Sequence, residues 1–231
     1  ASAAKYLAKQ LDKKLPKAWV VKYSGRKASP RKARTVAKVR SAKVSSLVKR
    51  MLLRSDNQVA EGLHREVARA RGYRPTFAAG ARVATQVAKS YGVDLRKARL
   101  ADGSGLSVRN TLSPRALTGV LRVIADEDNT ALRPILYGSG ALPVAGETGT
   151  LAKEGYYRFQ QDEAHCAVGE VVAKTGSLYW ERALSGLTVG EDGRLKAFSV
   201  VATKLSGYAD RLAAVTTLDH VAAVVHGCAD A

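Results

Sequence analysis

The spacing of apolar residues changes along this chain from helical to strand-like and back, and these changes limit the folds open to it. Up to about residue 126, apolar side chains recur at i, i+3, i+4 and i+7, the spacing of one helical face. After about residue 168 they fall in short β-rich runs, the last two of which are joined by the hairpin signal Gly-Glu-Asp-Gly. The tail returns to helical spacing. Helices, an antiparallel meander and a closing helix predict an α+β fold.

Turn and capping signals give approximate bounds for these elements. Helices are expected over 3–14, 43–54, 58–70, 77–91, 114–126 and 210–226. Strands are expected over 18–25, 168–179, 182–189 and 194–204. Asn57 or Asp56 is expected to cap the third helix. The helical part therefore spans about 44–137, and the sheet part spans about 168–231.

The formal net charge of +18 lies almost entirely in the first quarter of the chain. Residues 1–54 hold 17 Lys and Arg against one acid, Asp12. Such a segment is typical of a nucleic-acid arm, of a patch for an anionic polymer or membrane surface, or of a solvated face. Few aromatic residues are available there for base stacking, and no nucleic-acid-binding motif is present, so no nucleic-acid partner is expected. The pattern favours a charged surface on a folded segment.

The few cysteines and histidines argue against metal chemistry. The four histidines are scattered singly, and Cys166 and Cys228 lie far apart, so we expect no metal site and no other cofactor. The sequence leaves open whether the two thiols are free or bonded to each other, because the outcome depends on the compartment. His64 is expected on the polar, exposed side of its helix.

Two short motifs more than a hundred residues apart are candidates for a site. Ser55-Asp56-Asn57 follows a predicted helix, and Lys174-Thr175-Gly176 lies on a predicted strand. Taken singly, the first is typical of helix capping and the second of a strand entering a turn. Together with S-x-x-K, however, S-D-N and K-T-G form the motif set of serine β-lactamases and penicillin-binding proteins. Their order and structural context favour a site.

Longer blocks make the resemblance specific. Residues 45–68, 101–117, 141–151 and 171–178 resemble successive blocks of D-alanyl-D-alanine carboxypeptidases of the class C penicillin-binding protein type. The resemblance covers about residues 40–205 and implies a β-lactamase/transpeptidase-like fold. It implies hydrolysis of peptidoglycan stem peptides through an acyl-enzyme, with endopeptidase action on cross-links as an additional expectation. Stem peptides and β-lactams are then the expected ligands.

The resemblance also implies a catalytic role for three motif residues. Acyl transfer needs a nucleophile, a proton donor for the leaving amine and an oxyanion hole. Ser55 would pass a proton toward the leaving nitrogen, and the Asn57 amide would hold the substrate's peptide group. Lys174 would supply positive potential.

Three further residues would bind the substrate. The hydroxyl groups of Thr175 and Ser177 would bind its carboxylate, and the Ser177 backbone N–H would be half of the oxyanion hole. Position 177 is often Thr in the family, and Ser keeps the hydroxyl. Gly176 would let the substrate backbone lie close along the strand. The sequence Asp-Gly-Ser-Gly at 102–105 is expected to be a structural turn.

The nucleophile is harder to find. Literal S-x-x-K matches begin at Ser2, Ser24, Ser29 and Ser46, but so many lysines make the pattern uninformative here. Ser46 lies in the helix that leads into Ser55, Ser24 and Ser29 lie in turn-rich sequence, and only Ser2 opens a helix. Against Ser2, the resemblance implies strands and a helix before the nucleophile, and we do not expect them ahead of residue 2. We therefore expect the nucleophile and its lysine in an N-terminal part of the same protein.

If the nucleophile lies elsewhere in the protein, the chain has two expected segments. Residues 1–43 would be a basic lead-in segment that returns from inserted domains, and 44–231 would be the C-terminal part of the transpeptidase-like domain. The family works outside the cytoplasmic membrane, where a Cys166–Cys228 disulfide and contact with anionic cell-envelope polymers become open alternatives. A non-catalytic module of the same fold and a basic nucleic-acid-binding protein are the other classes of function.

Overall fold

The computed structural model describes residues 2–25, 28, 32, 34–35 and 38–230. It contains two compact units, Ala1–Ser41 and Ala42–Ala231. In the first unit, helix α1 covers Ser2–Lys14, as the spacing predicts. The strand expected over 18–25 is wrong: these residues pair with no strand in the described part of the chain, and a lone strand is not stable. The Val21 N–H donates instead to the Asp12 carboxylate at 3.0 Å.

The second unit follows the predicted order of helices, sheet and helix, which confirms the α+β class. A short 3-10 turn, Gly149–Leu151, and a kink within the helical segment Lys153–Tyr156 interrupt the middle of the unit. The elements of its described residues are α2 Val44–Arg54, α3 Asn57–Ala70, α4 Phe77–Ser90, α5 Pro114–Ala125, α6 Arg133–Leu136, α7 Lys153–Tyr156, α8 Asp162–His165, β1 Val171–Ser177, β2 Arg182–Val189, β3 Leu195–Ala202 and α9 Tyr208–His226. Among the described residues, none of these helices combines the length and the apolar character needed to cross a membrane.

The three strands form an antiparallel sheet in the order β1-β2-β3. Lys174 of β1 lies opposite Ser185 of β2, which lies opposite Ser199 of β3. Side chains alternate between the two faces of a strand, and here helices cover both faces of the sheet. On one face Leu184 and Phe198 are buried with residues of α9, and on the other Leu187 is buried with residues of α5.

A buried ion pair fixes α9 to the loop between α7 and α8. The side chains of Arg158 and Asp219 are only 8% and 1% exposed. The Arg158 Nε donates to both carboxylate oxygens of Asp219, at 3.0 and 2.9 Å, and the Phe159 N–H donates to one of them at 2.9 Å. Both oxygens of the buried carboxylate therefore accept hydrogen bonds.

His64 corrects the sequence analysis, because it is buried rather than exposed. Its Nε2 atom donates to the Phe77 carbonyl oxygen at 2.9 Å. Two glycines make room for it: a Cβ at Gly80 or at Gly103 would come within 2.4 Å of a His64 side-chain atom. The helical pattern of α3 alone does not reveal this space, because both glycines lie on other segments.

Cys166 and Cys228 form a disulfide, which settles the alternative that the sequence left open. The bond ties the end of α8 to the residues just after α9. Its partners are 62 residues apart in sequence, so it closes a long loop in the unfolded chain.

Removing this bond should destabilise the protein. For Cys166→Ser/Cys228→Ser we expect the free energy of unfolding to fall by about 2–4 kcal/mol, because the unfolded chain regains the freedom of the closed loop. Urea denaturation with and without a reductant measures the effect. The reductant should shift the wild-type midpoint to that of the double variant and leave the variant unchanged. Equal midpoints before reduction would contradict the prediction.

Candidate active site

Ser55 lies at a break between two helices. It follows the end of α2 and adopts a left-handed backbone, with φ 51° and ψ 46°. The cap of α3 is its neighbour Asp56, whose carboxylate accepts from the Val59 N–H at 3.1 Å. That bond holds the pKa of Asp56 below its usual value. Because Asp56 does the capping, the Ser55 hydroxyl is left for another contact.

That contact is made by Lys174. Its Nζ donates to Ser55 Oγ at 2.9 Å and to the Thr175 carbonyl oxygen at 2.8 Å. Positions 172 and 174 share one face of β1, and Val172 packs in the same cluster as Leu52 of α2. This placement directs the Lys174 side chain toward α2. The bond joins residues of the two motifs across 119 positions of sequence.

The Lys174 ammonium is half-buried, and this burial lowers its pKa to about 8. No carboxylate lies within ion-pair distance of it in the described part of the chain. A partly desolvated cation without an anionic partner is a group that an anionic ligand can stabilise.

The outer edge of β1 is paired in its first half and open in its second. The Ala173 N–H donates to the Pro143 carbonyl oxygen at 2.9 Å, on the side away from β2. Backbone groups alternate between the two sides of an antiparallel strand, so the N–H groups of Thr175 and Ser177 also face away from β2. Gly176 and Ser177 are exposed. This half of the edge offers backbone donors to an extended ligand.

Thr150 contacts the candidate site, although no sequence motif singles it out. It is buried, and its Oγ1 lies 2.8 Å from Oγ1 of Thr175. It follows Gly149, which has φ +57° and where a Cβ would lie 2.5 Å from the Leu53 carbonyl oxygen. Only glycine permits this close approach to α2. The pair Gly149-Thr150, near the end of the Gly-rich stretch 141–151, is the sequence signal that could have revealed Thr150.

Asn57 takes a different position from the other motif residues. It begins α3, is exposed, and makes no side-chain hydrogen bond with the described residues. It lines a cavity of about 640 Å³ whose other walls include Glu61, Ser104 and Arg109. The structure therefore brings Ser55, Lys174 and Thr175 into one hydrogen-bonded group and leaves the Asn57 amide open to solvent beside it.

The stretch 101–110 forms the turn that the sequence predicts. The Asp102 carboxylate accepts from the N–H groups of Gly105 and Ser107, at 2.9 and 2.6 Å. The Ser104 hydroxyl donates to Glu61 at 2.7 Å, which attaches the turn to α3. Across the described ranges, no group of three or more His, Cys, Asp or Glu side chains is arranged to hold a metal ion.

Residues 1–225 match the profile of the D-Ala-D-Ala carboxypeptidase 3 (S13) family. The chain belongs to the S13 family. The resemblance inferred from the motif blocks is thereby confirmed.

Curated relatives of the S13 chain carry carboxypeptidase names. This chain is 38% identical over 196 residues to carboxypeptidase DacB of Mycolicibacterium smegmatis, and the match covers 84% of this chain and 40% of the relative. It is 32% identical over 170 residues to D-alanyl-D-alanine carboxypeptidase DacB of Haemophilus influenzae, covering 73% of this chain and 33% of the relative. The chain thus spans 40% or less of the length of these two relatives.

Solved structures agree with the S13 assignment. The chain is similar to penicillin binding protein 4 of Haemophilus influenzae, complexed with a β-lactam, with a TM-score of 0.75 and 28% identity. That match covers 95% of this chain and 48% of the other. A likeness to the TLA-1 β-lactamase, with a TM-score of 0.55 and 16% identity over 80% of this chain and 64% of the other, shows the fold alone.

Proposed function

We propose that this chain supplies two walls of the acyl-transfer site of a serine D-Ala-D-Ala carboxypeptidase that acts on peptidoglycan stem peptides and is acylated by β-lactams. The observation that carries the proposal is the 2.9 Å bond from Lys174 Nζ to Ser55 Oγ. It unites the two motifs in a partly buried group, and the helix cap is made by Asp56 rather than by either residue of this bond. S13 membership and the carboxypeptidase names of the relatives support it.

The hydrogen bonds suggest how a proton would move. Because Lys174 donates to Ser55 Oγ, the hydroxyl hydrogen of Ser55 is free to point away from the lysine and be donated elsewhere. It would pass to the leaving amine as the acyl bond forms, while Ser55 would regain a proton from the side of the nucleophile, so that the proton lost by the nucleophilic serine ends on the amine. The Lys174 charge would stabilise negative charge that develops beside it, and the exposed Asn57 amide would hold the substrate's peptide group.

The open half of β1 would bind the end of the substrate. The Thr175 and Ser177 hydroxyls would hold its terminal carboxylate, with Lys174 providing the positive potential. The outward-facing Ser177 N–H would be one of the two oxyanion donors. Gly176 keeps this edge free of a side chain, so that an extended peptide can approach the backbone.

We place the nucleophilic serine and its lysine outside residues 1–231, in another part of the same protein. The internal S-x-x-K matches give little support to a nucleophile. Ser46 is exposed on α2, and Lys49 donates to the Ser139 carbonyl oxygen at 2.8 Å rather than facing a serine. Ser29 lies outside the described residues. On this proposal residues 1–43 lead in from inserted domains.

We further propose an extracytoplasmic location, which the disulfide supports. The basic first quarter would then be attracted to anionic cell-envelope polymers, with an affinity that weakens as salt rises. Retention on cell walls that is independent of ionic strength would contradict this attraction.

Release of D-alanine by the full-length protein tests the proposal. A stem pentapeptide should lose its terminal D-alanine, and prior penicillin treatment should abolish the release. Ser55→Ala should slow the release about 10²–10³-fold, since a positioned proton donor contributes about 10²–10⁴-fold. Ser46→Ala, a matched change on the preceding helix, should have no effect. A Ser55→Ala protein as fast as wild type would overturn the proposed role.

A further inference from the structure

An exposed aromatic pair directly follows the proposed site along the chain. Tyr179 and Trp180 are 65% and 57% exposed, and their ring centroids lie 4.1 Å apart in an edge-to-face arrangement. They occupy the turn between β1 and β2. Two rings that remain in water despite their large apolar surface are typical of a binding surface.

The backbone holds this turn in place. The Leu178 N–H donates to the Glu181 carbonyl oxygen at 3.0 Å, closing the turn. The Leu205 N–H donates to the Trp180 carbonyl oxygen at 3.0 Å, attaching the turn to the segment that leads into α9. The rings are therefore presented on a fixed backbone, which lowers the entropy lost on binding.

Two arginines accompany the aromatic pair. The Arg211 guanidinium lies 5.3 Å from the centre of the Tyr179 ring. Arg182 is half-buried, and its guanidinium donates to the carbonyl oxygens of Leu178 and Glu181. Burial and the nearby Arg211 charge lower the pKa of Arg182. In the part of the chain that the structure describes, neither guanidinium has a carboxylate within 4.0 Å.

The exposed surface continues onto α9. Tyr208 is 76% exposed and precedes Arg211 by three residues, so both lie on one side of the first turns of the helix. We call Tyr179, Trp180, Arg182, Tyr208 and Arg211 the aromatic turn. It combines flat amphipathic rings with two cationic groups that have no anionic partner among the described residues.

We propose that the aromatic turn binds the glycan strand to which a stem peptide is attached. This proposal rests on the proposed function and extends it from a soluble peptide to the polymer. The ring faces would pack against the apolar faces of the amino sugars, and the arginines would bind carboxylates of the attached peptides.

The position of the aromatic turn favours a glycan over the other occupants. Tyr179 follows Ser177 by two residues, so a peptide held at the open edge of β1 leaves the site beside these rings. A membrane or a large protein docked on the turn would cover that edge and obstruct the peptide. A thin polymer joined to the peptide would not.

Binding to insoluble peptidoglycan tests the inference on this chain. The salt concentration is set to about 0.5 M, where a Debye length of roughly 4 Å weakens the attraction of the basic first quarter. Tyr179→Ser/Trp180→Ser should bind about tenfold more weakly than wild type, as expected for two lost aromatic contacts. Tyr91→Ser, which changes another exposed tyrosine, should bind like wild type. Equal binding by the double variant and wild type would overturn the inference, as would a loss seen with anionic vesicles but not with peptidoglycan.

Fluorescence gives a second readout that does not depend on a folded double variant. In a Trp19→Phe protein, Trp180 is the remaining tryptophan. Its emission should change saturably with soluble glycan strands that carry stem peptides, and much less with the free peptide. No change with the strands would refute the inference.

Glycan binding by the aromatic turn and acylation at the proposed site can be measured separately. In the full-length protein, Trp180→Ser should leave penicillin acylation and release from soluble peptide within about twofold of wild type, because Trp180 lies outside the reacting group. If wild type itself is not acylated, the proposed function fails whatever the aromatic turn binds. A Trp180→Ser protein that loses acylation would assign the turn to catalysis rather than to glycan binding.

Discussion

Replacing Asp219 by alanine is expected to lower the free energy of unfolding by about 3–5 kcal/mol, the typical cost of breaking a buried ion pair from one side. The change leaves the buried Arg158 guanidinium without its carboxylate. It also removes the acceptor of the Phe159 N–H. Urea denaturation of the chain measures the loss. An equal dependence of the unfolding free energy on urea concentration in variant and wild type would show that both unfold in the same two-state manner.

An exposed pair provides the matched control. Arg96 and Asp94 form the same kind of two-bonded pair, but with side chains 82% and 36% exposed. Asp94→Ala should therefore leave the free energy of unfolding close to that of the wild type. Arg158→Met/Asp219→Leu, which removes both buried charges, should recover most of the stability lost in Asp219→Ala. A loss below about 1 kcal/mol in Asp219→Ala would contradict the role assigned to the pair.

Lys174→Ala in the full-length protein is expected to slow acylation by a fluorescent penicillin about 10²–10³-fold, the usual effect of losing one preorganised electrostatic group. The variant loses the donor to Ser55 and the positive charge behind the open edge of β1. Lys196→Ala is the control, since Lys196 lies on β3 of the same sheet and pairs with Asp192 instead. Lys196→Ala should react at the wild-type rate. Acylation of Lys174→Ala within about threefold of wild type would contradict the assignment.

The lowered pKa of Lys174 adds a pH signature. The ammonium is charged below its pKa of about 8 and neutral above it. The acylation rate should therefore fall as pH rises through about 8. In Lys174→Arg this fall should move to higher pH, because a guanidinium stays charged. A fall at the same pH in both proteins would assign the titration to another group.

As pH rises through about 8, the free energy of unfolding should increase while the acylation rate falls. Burial lowers the pKa of Lys174 from 10.5 to about 8, so the folded state disfavours its charged form. This penalty is fully present below the folded pKa and disappears as pH rises toward 10.5. Lys174→Met should raise the free energy of unfolding at pH 7 by about 1–2 kcal/mol, a value reduced from the full shift because the side chain is only half-buried. The gain should shrink by pH 10, which denaturation at the two pH values would show.

Residue spacing predicted the parts of the fold that depend on one segment at a time. The long helices and the hairpins repeat a local pattern, so α2, α3, α5 and the meander were found within a few residues of their bounds. The strand over 18–25 failed because a strand needs a neighbour, and no apolar pattern within it can report whether one exists.

In the candidate site, too, the residues of local motifs were predicted and the contacts between distant segments were not. Ser55 and Lys174 were predicted because each belongs to a motif that can be read locally. The bond from Thr150 to Thr175 and the burial of His64 and Asp219 were missed, because each depends on a distant segment. On α9, Asp219 interrupts an apolar face, and only the loop with Arg158 explains why a carboxylate is buried there.

On our proposal, Ser55, Asn57 and Lys174–Ser177 face a nucleophilic serine that lies in another part of the protein. Mass mapping of the penicilloyl adduct tests it most directly. The full-length protein is treated with penicillin, and the modified peptide is identified. The 231-residue chain is treated in parallel. We expect the adduct on a serine outside residues 1–231, and none on the chain alone. An adduct on the isolated chain that disappears in Ser2→Ala would contradict the account.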